Sequence, residues 1–219
     1  MGHPLAGAAA HPIFQDCRRL GLNYAALAFP AVILVSITGL LLLISQDWRV
    51  SILLLALQYA GIFSLVALSW PPEMAAVKLV TGWMSGAVLG MAFASAPEKG
   101  WKEGEFPLSH LLFRLILAGL MILVVISAGP QMAAWLPEAE RLQLIGGALL
   151  IGAGLLQLGL SNQPVRVVVG LLTVLGGFEV FYAIVERSTL VAGLLAGINL
   201  GLALVGAYLL TLPGLPEVD

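Results

Sequence analysis

Charged side chains are scarce in this sequence. Asp, Glu, Lys and Arg together make up 10% of the 219 residues, while 60% of the residues are hydrophobic. A soluble globular domain usually has about 25% charged and about 45–50% apolar residues. A chain of this length cannot bury such an excess of apolar side chains in one aqueous core. The composition therefore excludes an ordinary soluble domain and predicts a protein whose solvent is lipid.

The sequence also lacks the features of several functional classes. Its single cysteine, Cys17, excludes an internal disulfide framework and a metal site built from several cysteines. The net charge of −2 argues against a nucleic-acid-binding surface. There is no Walker loop, no dinucleotide-binding glycine motif and no HExxH motif. We therefore expect no catalytic residue, metal ligand or cofactor within the chain itself.

Long apolar runs are what the sequence has in abundance. A membrane-spanning helix needs about 20 mainly apolar residues. Seven segments meet or approach this length: 23–46, 50–70, 74–95, 109–128, 142–160, 165–186 and 189–212. The sequence therefore predicts an all-α polytopic membrane protein. Its transmembrane domain covers residues 23–212, between an N-terminal tail or interfacial segment (1–22) and a C-terminal tail (213–219). Because most connections are short, each helix is expected to pack on its sequence neighbour.

Glycines recur at four-residue spacing in two of the predicted spans. They are Gly82, Gly86 and Gly90 in the third span and Gly193, Gly197 and Gly201 in the seventh. Residues four apart share one face of a helix, and glycines on such a face let two helix backbones approach closely. We expect both faces to be helix-packing sites, either within the chain or against another subunit.

Most charged residues fall in loops or at helix ends, but two fall inside predicted spans. Lys78 lies five residues after Glu73, roughly 7.5 Å along the helix, so its long side chain could also snorkel to the interface. Glu179 lies seven residues before Glu186, roughly 10 Å along the helix, and its side chain is too short to reach the headgroups. An intramembrane ionisable residue that cannot snorkel is a functional candidate. A purely structural, hydrogen-bonded glutamate is the alternative.

Further polar residues lie close to this pair in the predicted topology. Lys78 and Glu179 belong to the same leaflet, because the third span begins on the side where the sixth ends. Tyr182 and Glu186 follow Glu179 at i+3 and i+7, on the same helical face. Asn199 of the seventh span lies about one turn deeper. We predict that these five residues form a proton relay, since such polar chains carry protons in pumps and transporters.

The three C-terminal spans, residues 142–212, resemble a known family of membrane subunits. The stretch LLTVLGGFEVFYAIVERSTLVAGLLAGINLGLALVGAYLL is similar to the small K subunit of respiratory complex I and the C subunit of Mrp sodium–proton antiporters. In that family a Gly-x-Glu element carries a buried glutamate, and Gly177, Phe178 and Glu179 match it. With seven spans, the whole chain resembles the component E membrane subunit of group 4 hydrogenases. The K subunit has a second buried glutamate in its next helix, where this chain has Asn199.

The resemblance implies an integral membrane subunit of a hetero-oligomeric, ion-translocating complex in the prokaryotic plasma membrane. Its partners would be lipid and other membrane subunits. Glu179 would provide a proton or sodium path, with Lys78 as candidate charge partner. Any enzymatic activity would belong to the oxidoreductase or antiporter complex as a whole. Two alternatives stay open: a stand-alone carrier or channel, and a structural subunit of a larger respiratory or photosynthetic complex.

Overall fold

The structure is a computed structural model that describes residues 24–45, 47–95, 108–137, 139–161, 163–186 and 188–211. These ranges form seven α-helices and contain no β-strand. The helices are α1 (Tyr24–Ile44), α2 (Trp48–Val66), α3 (Pro72–Ser95), α4 (Leu108–Trp135), α5 (Arg141–Gly159), α6 (Pro164–Val185) and α7 (Thr189–Thr211). All seven are long and apolar enough to cross a membrane, so the predicted all-α membrane architecture is confirmed. The predicted tails, 1–22 and 213–219, lie outside the described ranges.

Prolines mark two helix starts but do not end α4. Pro72 and Pro164 occupy the first positions of α3 and α6, where the missing N–H group would have no partner within the helix. The sequence predicted that the fourth span ends at residue 128, before Pro130. Instead α4 continues through Pro130 to Trp135. A membrane helix tolerates an internal proline when neighbouring groups satisfy the carbonyl that it frees.

Six of the helices form two three-helix layers. In the first layer α1, α2 and α3 pack side by side in chain order, and in the second α5, α6 and α7 do the same. Across the layers α1 packs on α5, α2 on α6 and α3 on α7. The remaining helix, α4, packs on α5 and more lightly on α1, and it is the least buried span. Side chains that meet between α2, α3, α6 and α7 are therefore enclosed on all sides.

The outlying position of α4 has a topological reason. Each span reverses the direction of the chain, so α4 carries it back across the membrane and α5 starts on the same side as α1. The facing helices of the two layers consequently run in the same direction. The expectation that every helix packs on its sequence neighbour is wrong for α3 and α4. The packing faces of α3 are occupied by α2 and α7, while α4 lies beside α1 and α5.

If each of the seven helices crosses the membrane, successive loops lie alternately on its two sides. In a Cys17→Ser background, single cysteines at positions Asp47 and Ser161 should react with a membrane-impermeant maleimide from one side. Cysteines at Arg141 and Glu186 should react from the other side. Labelling in sealed right-side-out and inside-out vesicles shows on which side of the membrane each cysteine lies. Reaction of the cysteines at 47 and 186 from the same side would contradict the order of the spans.

Candidate functional site

A buried ion pair joins the two layers of the bundle. The Lys78 Nζ atom, on α3, lies 2.8 Å from Glu179 Oε1, on α6. Both residues are only 1% exposed. Lys78 therefore does not snorkel to the interface, and its ammonium group compensates the glutamate charge inside the membrane domain. The same ammonium lies 3.4 Å from the carbonyl oxygen of Ala192 on α7.

An amide and a phenol extend this ion pair. Asn199 Nδ2, on α7, donates a hydrogen bond of 2.8 Å to Glu179 Oε1. The Tyr59 hydroxyl, on α2, donates a hydrogen bond of 2.8 Å to Asn199 Oδ1. Tyr59 and Asn199 are fully buried. We call Tyr59, Lys78, Glu179 and Asn199 the Glu179 network. It takes one side chain from each of α2, α3, α6 and α7.

The two oxygens of the Glu179 carboxyl group have different surroundings. Oε1 accepts hydrogen bonds from both Lys78 and Asn199. Oε2 is buried and has no hydrogen-bond partner among the described residues. Most buried polar atoms in proteins have a partner, so Oε2 is an exception at the centre of the bundle. A proton can bind to Oε2 or leave it without breaking either hydrogen bond to Oε1.

The glycine face of α3 lies against α2 and provides space for Tyr59. A Cβ atom at Gly82 would collide with the Tyr59 ring. At Gly86 and Gly90 a Cβ atom would instead lie 3.9 Å and 3.4 Å from side-chain carbon atoms of Ile52. This face is therefore a packing site within the chain, and Gly82 is its tightest position.

The glycine face of α7 is open. Apart from adjacent residues and the local backbone of α7 itself, no atom of the described residues lies within 4 Å of a Cβ built at Gly193, Gly197 or Gly201. The alternative of close packing within the chain is therefore not seen for this face. Contact with another subunit stays a prediction.

The glycines that lie closest to the backbone of another helix join α5 and α6, and four-residue spacing does not reveal them. The four glycines are seven residues apart on each helix: Gly147 and Gly154 on α5, Gly170 and Gly177 on α6. In this antiparallel pair Gly147 faces Gly177, and Gly154 faces Gly170. The glycine of the Gly-x-Glu element thus fixes the position of α6 against α5, two residues before Glu179.

The other two members of the predicted relay, Tyr182 and Glu186, do not join the Glu179 network. They lie near Trp70 at the end of α6. The centroid of the Tyr182 ring lies 6.4 Å from that of the Phe178 ring. It lies 6.2 Å from that of the Trp70 ring, in an edge-on arrangement. Its hydroxyl makes no hydrogen bond to Glu179. Glu186 is exposed after the end of α6, where its carbonyl oxygen accepts a 3.1 Å hydrogen bond from Trp70 Nε1. The structure therefore brings together three of the five predicted relay residues and adds Tyr59.

Two buried arginines lie at the opposite end of the bundle, and the sequence did not distinguish them from other helix-end charges. Arg114 Nη1 donates a 2.7 Å hydrogen bond to the carbonyl oxygen of Leu43, and Arg166 Nη2 donates one of 2.9 Å to that of Ser45. These carbonyls stand at the C-terminal end of α1, where backbone acceptors lack helical partners. The arginines therefore stabilise the end of α1, remote from the Glu179 network.

The described residues contain no group of three or more His, Cys, Asp or Glu side chains that could hold a metal ion. Comparison with known proteins gives no match: no family model, no curated protein and no solved structure matches the chain.

Proposed function

We propose that the chain is a membrane subunit that conducts protons through Glu179 within an ion-translocating assembly of the complex I, Mrp or group 4 hydrogenase type. The observation that carries this proposal is the asymmetric carboxyl group of Glu179. One oxygen is held by Lys78 and Asn199, and the other is buried with no hydrogen-bond partner among the described residues. The first oxygen anchors the side chain, and the second exchanges the proton.

The surroundings of Lys78 support a reversible proton at Glu179. When Glu179 is ionised, the ammonium group balances its charge at 2.8 Å. When Oε2 takes up a proton, the ammonium keeps its contact with Oε1 and has the Ala192 carbonyl oxygen as a second acceptor. A buried charge is tolerated only when it is paired or hydrogen-bonded. The Lys78 ammonium group therefore has hydrogen-bond acceptors both when Glu179 is ionised and when it is protonated.

The two alternatives fit this geometry less well. A carrier needs a cavity in which a solute can be solvated, but Lys78 and Glu179 are only 1% exposed and are enclosed by four helices. A proton, unlike a solute, can bind at such a site without a cavity. A structural carboxylate, in turn, gains stability from hydrogen bonds to both of its oxygens, and in the part of the chain that the structure describes Oε2 has none.

The test is the substitution Glu179→Gln in the full assembly. Glutamine keeps the shape of the side chain and can accept the hydrogen bonds of Lys78 and Asn199, but it cannot exchange a proton. Because the Lys78 ammonium then keeps only the glutamine oxygen and the Ala192 carbonyl oxygen as acceptors, we expect less assembled complex. We expect the rate of proton or sodium translocation in sealed vesicles to fall at least tenfold. The rate is normalised to the amount of assembled complex.

Glu179→Asp is the matched control, because it keeps the carboxyl group on a shorter side chain. We expect this variant to retain partial translocation. A wild-type rate in Glu179→Gln would instead leave Glu179 as a packing and hydrogen-bonding residue. In that case Glu179→Leu, which also removes the hydrogen-bonding capacity, should damage assembly far more than Glu179→Gln.

A further inference from the structure

The hydrogen bond between Tyr59 and Asn199 joins residues 140 positions apart, from opposite layers of the bundle. We propose that Tyr59 is a positioning residue of the relay. Its hydroxyl group holds the Asn199 amide in the orientation that donates to Glu179, and this sets how strongly Glu179 holds its proton. This inference rests on the proposed function of Glu179 and assigns a role to a residue that does not touch the carboxyl group.

The orientation of the Asn199 amide matters because its two ends have opposite hydrogen-bonding character. The NH₂ group only donates, and the oxygen only accepts. An ionised carboxylate only accepts, so it is stabilised by the observed orientation, in which Nδ2 lies 2.8 Å from Glu179 Oε1. After a half-turn the amide oxygen would face the carboxyl group. That orientation repels a carboxylate and favours a carboxyl group whose proton is on Oε1, since this oxygen faces Asn199 and can donate to the amide oxygen.

Tyr59 selects between the two orientations. In the observed one, its hydroxyl donates to Asn199 Oδ1 at 2.8 Å. In the turned one, the hydroxyl oxygen would accept from the amide, and the hydroxyl hydrogen would lose its acceptor. Both residues are fully buried, and a buried donor without a partner is unfavourable. Tyr59 therefore favours the amide orientation that stabilises ionised Glu179.

Gly82 fixes the position from which Tyr59 acts. The Tyr59 ring occupies the space that a Cβ atom at Gly82 would need. A methyl group there must displace the ring, and with it the hydroxyl that holds Asn199. One turn further along α3, a Cβ atom at Gly86 would lie 3.9 Å from Ile52 Cγ2, an ordinary contact. The two glycines therefore form a matched pair in which only Gly82 bears on the Glu179 network.

The ionisable groups around Glu179 are few, so a shift in its titration can be interpreted. α3 contributes Lys78, and Glu73 in its first turn; α2 contributes Tyr59, with Arg49 at its far end. The other ionisable residues of α6 are Arg166 near its start and Tyr182 near its end. On α5 and α7 the ionisable residues are Arg141 and Tyr208, close to helix ends. Glu186 follows the end of α6.

The test is an infrared pH titration of the full chain reconstituted in lipid. The carboxyl band of Glu179 is assigned by its absence in Glu179→Gln. In Tyr59→Phe the ring stays on Gly82 but the hydroxyl is removed, so the amide can turn towards a protonated carboxyl group. We expect the protonated band to persist to higher pH, with its midpoint raised by about one pH unit, which is a tenfold change in proton affinity.

Two comparisons separate positioning from a general effect on the fold. In an Asn199→Leu background, Tyr59→Phe should cause no further shift, because Tyr59 acts only through Asn199. Gly82→Ala should shift the midpoint in the same direction as Tyr59→Phe, and Gly86→Ala should leave it unchanged. An unchanged midpoint in Tyr59→Phe, or the same shift in the Asn199→Leu background, would overturn the positioning role alone. If no Glu179 band titrates in the wild type, the proposed relay fails, and this inference fails with it.

Discussion

Replacing Lys78 with methionine should greatly lower the amount of folded protein in the membrane. Replacing Lys78 and Glu179 together should restore much of this amount. Methionine has a similar length but no charge, so Lys78→Met leaves the Glu179 carboxylate buried without the ammonium that lies 2.8 Å away. Breaking a buried ion pair by removing one partner costs about 3–5 kcal/mol of folding free energy. In Lys78→Met/Glu179→Gln no uncompensated charge remains, and replacing both members of a buried pair is often nearly neutral.

The loss of folding stability in Lys78→Met should become smaller as the pH falls. The variant can remove the unpaired charge by protonating Glu179. A carboxyl group that titrates near pH 4.3 in water must spend about 4 kcal/mol to be protonated at pH 7, and less at lower pH. The destabilisation should therefore be largest near neutral pH and become smaller towards pH 5. The double variant should show no such dependence.

Thermal unfolding of the purified chain in detergent, and the yield of monodisperse protein from membranes, measure these effects. Arg49→Met is the control, since Arg49 is an exposed cation at the start of α2 that lies over the Trp48 ring. Its loss should change stability little. If the double variant is as unstable as Lys78→Met, the loss comes from packing around the lysine side chain and not from the unpaired charge.

The helices could be predicted from the sequence, but their arrangement could not. Apolar runs of about 20 residues indicate spans because the bilayer has a fixed thickness. In lipid, however, the outer face of a helix is as apolar as its inner face, so no amphipathic pattern shows which face is buried. Gly82 and Gly197 illustrate this. They have the same four-residue spacing, yet Gly82 lies under the Tyr59 ring, while no described residue of another helix lies within 4 Å of a Cβ built at Gly197.

The centre of the site was predictable for a related reason. Lys78 and Glu179 stand out because charges inside apolar runs are costly, and the alternation of spans places them at the same depth. Tyr59 gave no such signal, since a tyrosine in an apolar helix is equally compatible with core packing, and its partner lies 140 residues away. Tyr182 shares a helical face with Glu179, but it lies one helical turn further along α6, where its ring packs against Trp70.

Gly177→Ala should unfold or misassemble the chain, whereas Gly197→Ala should leave it stable. A Cβ atom at Gly177 would lie 2.8 Å from both the carbonyl oxygen of Gly147 and the backbone nitrogen of Ile151. These are backbone atoms of α5, so no side-chain rotation can relieve the contact and the two helices must separate. Overpacking of a core costs typically about 1–3 kcal/mol, and we expect at least the upper end here. The separation would also displace Glu179, two residues along α6.

Gly197→Ala adds the same methyl group to a face where it meets no described residue of another helix. Alanine has a higher helix propensity than glycine, so this variant should be neutral or slightly more stable. Thermal unfolding of the two purified variants makes the comparison directly. Equal losses in both would show that the cost comes from the helix backbone and not from the contact with α5.

Gly197→Leu then tests whether the open face of α7 meets another subunit. The purified chain should tolerate the leucine, because none of the described residues outside α7 lies near this position. If a neighbouring helix packs closely on Gly193, Gly197 and Gly201, the leucine should force the two backbones apart and reduce the amount of assembled complex in native membranes. Leu195→Val, a smaller change of side-chain volume on the same helix, should leave assembly unchanged. Normal assembly of Gly197→Leu would mean that this face of α7 contacts lipid.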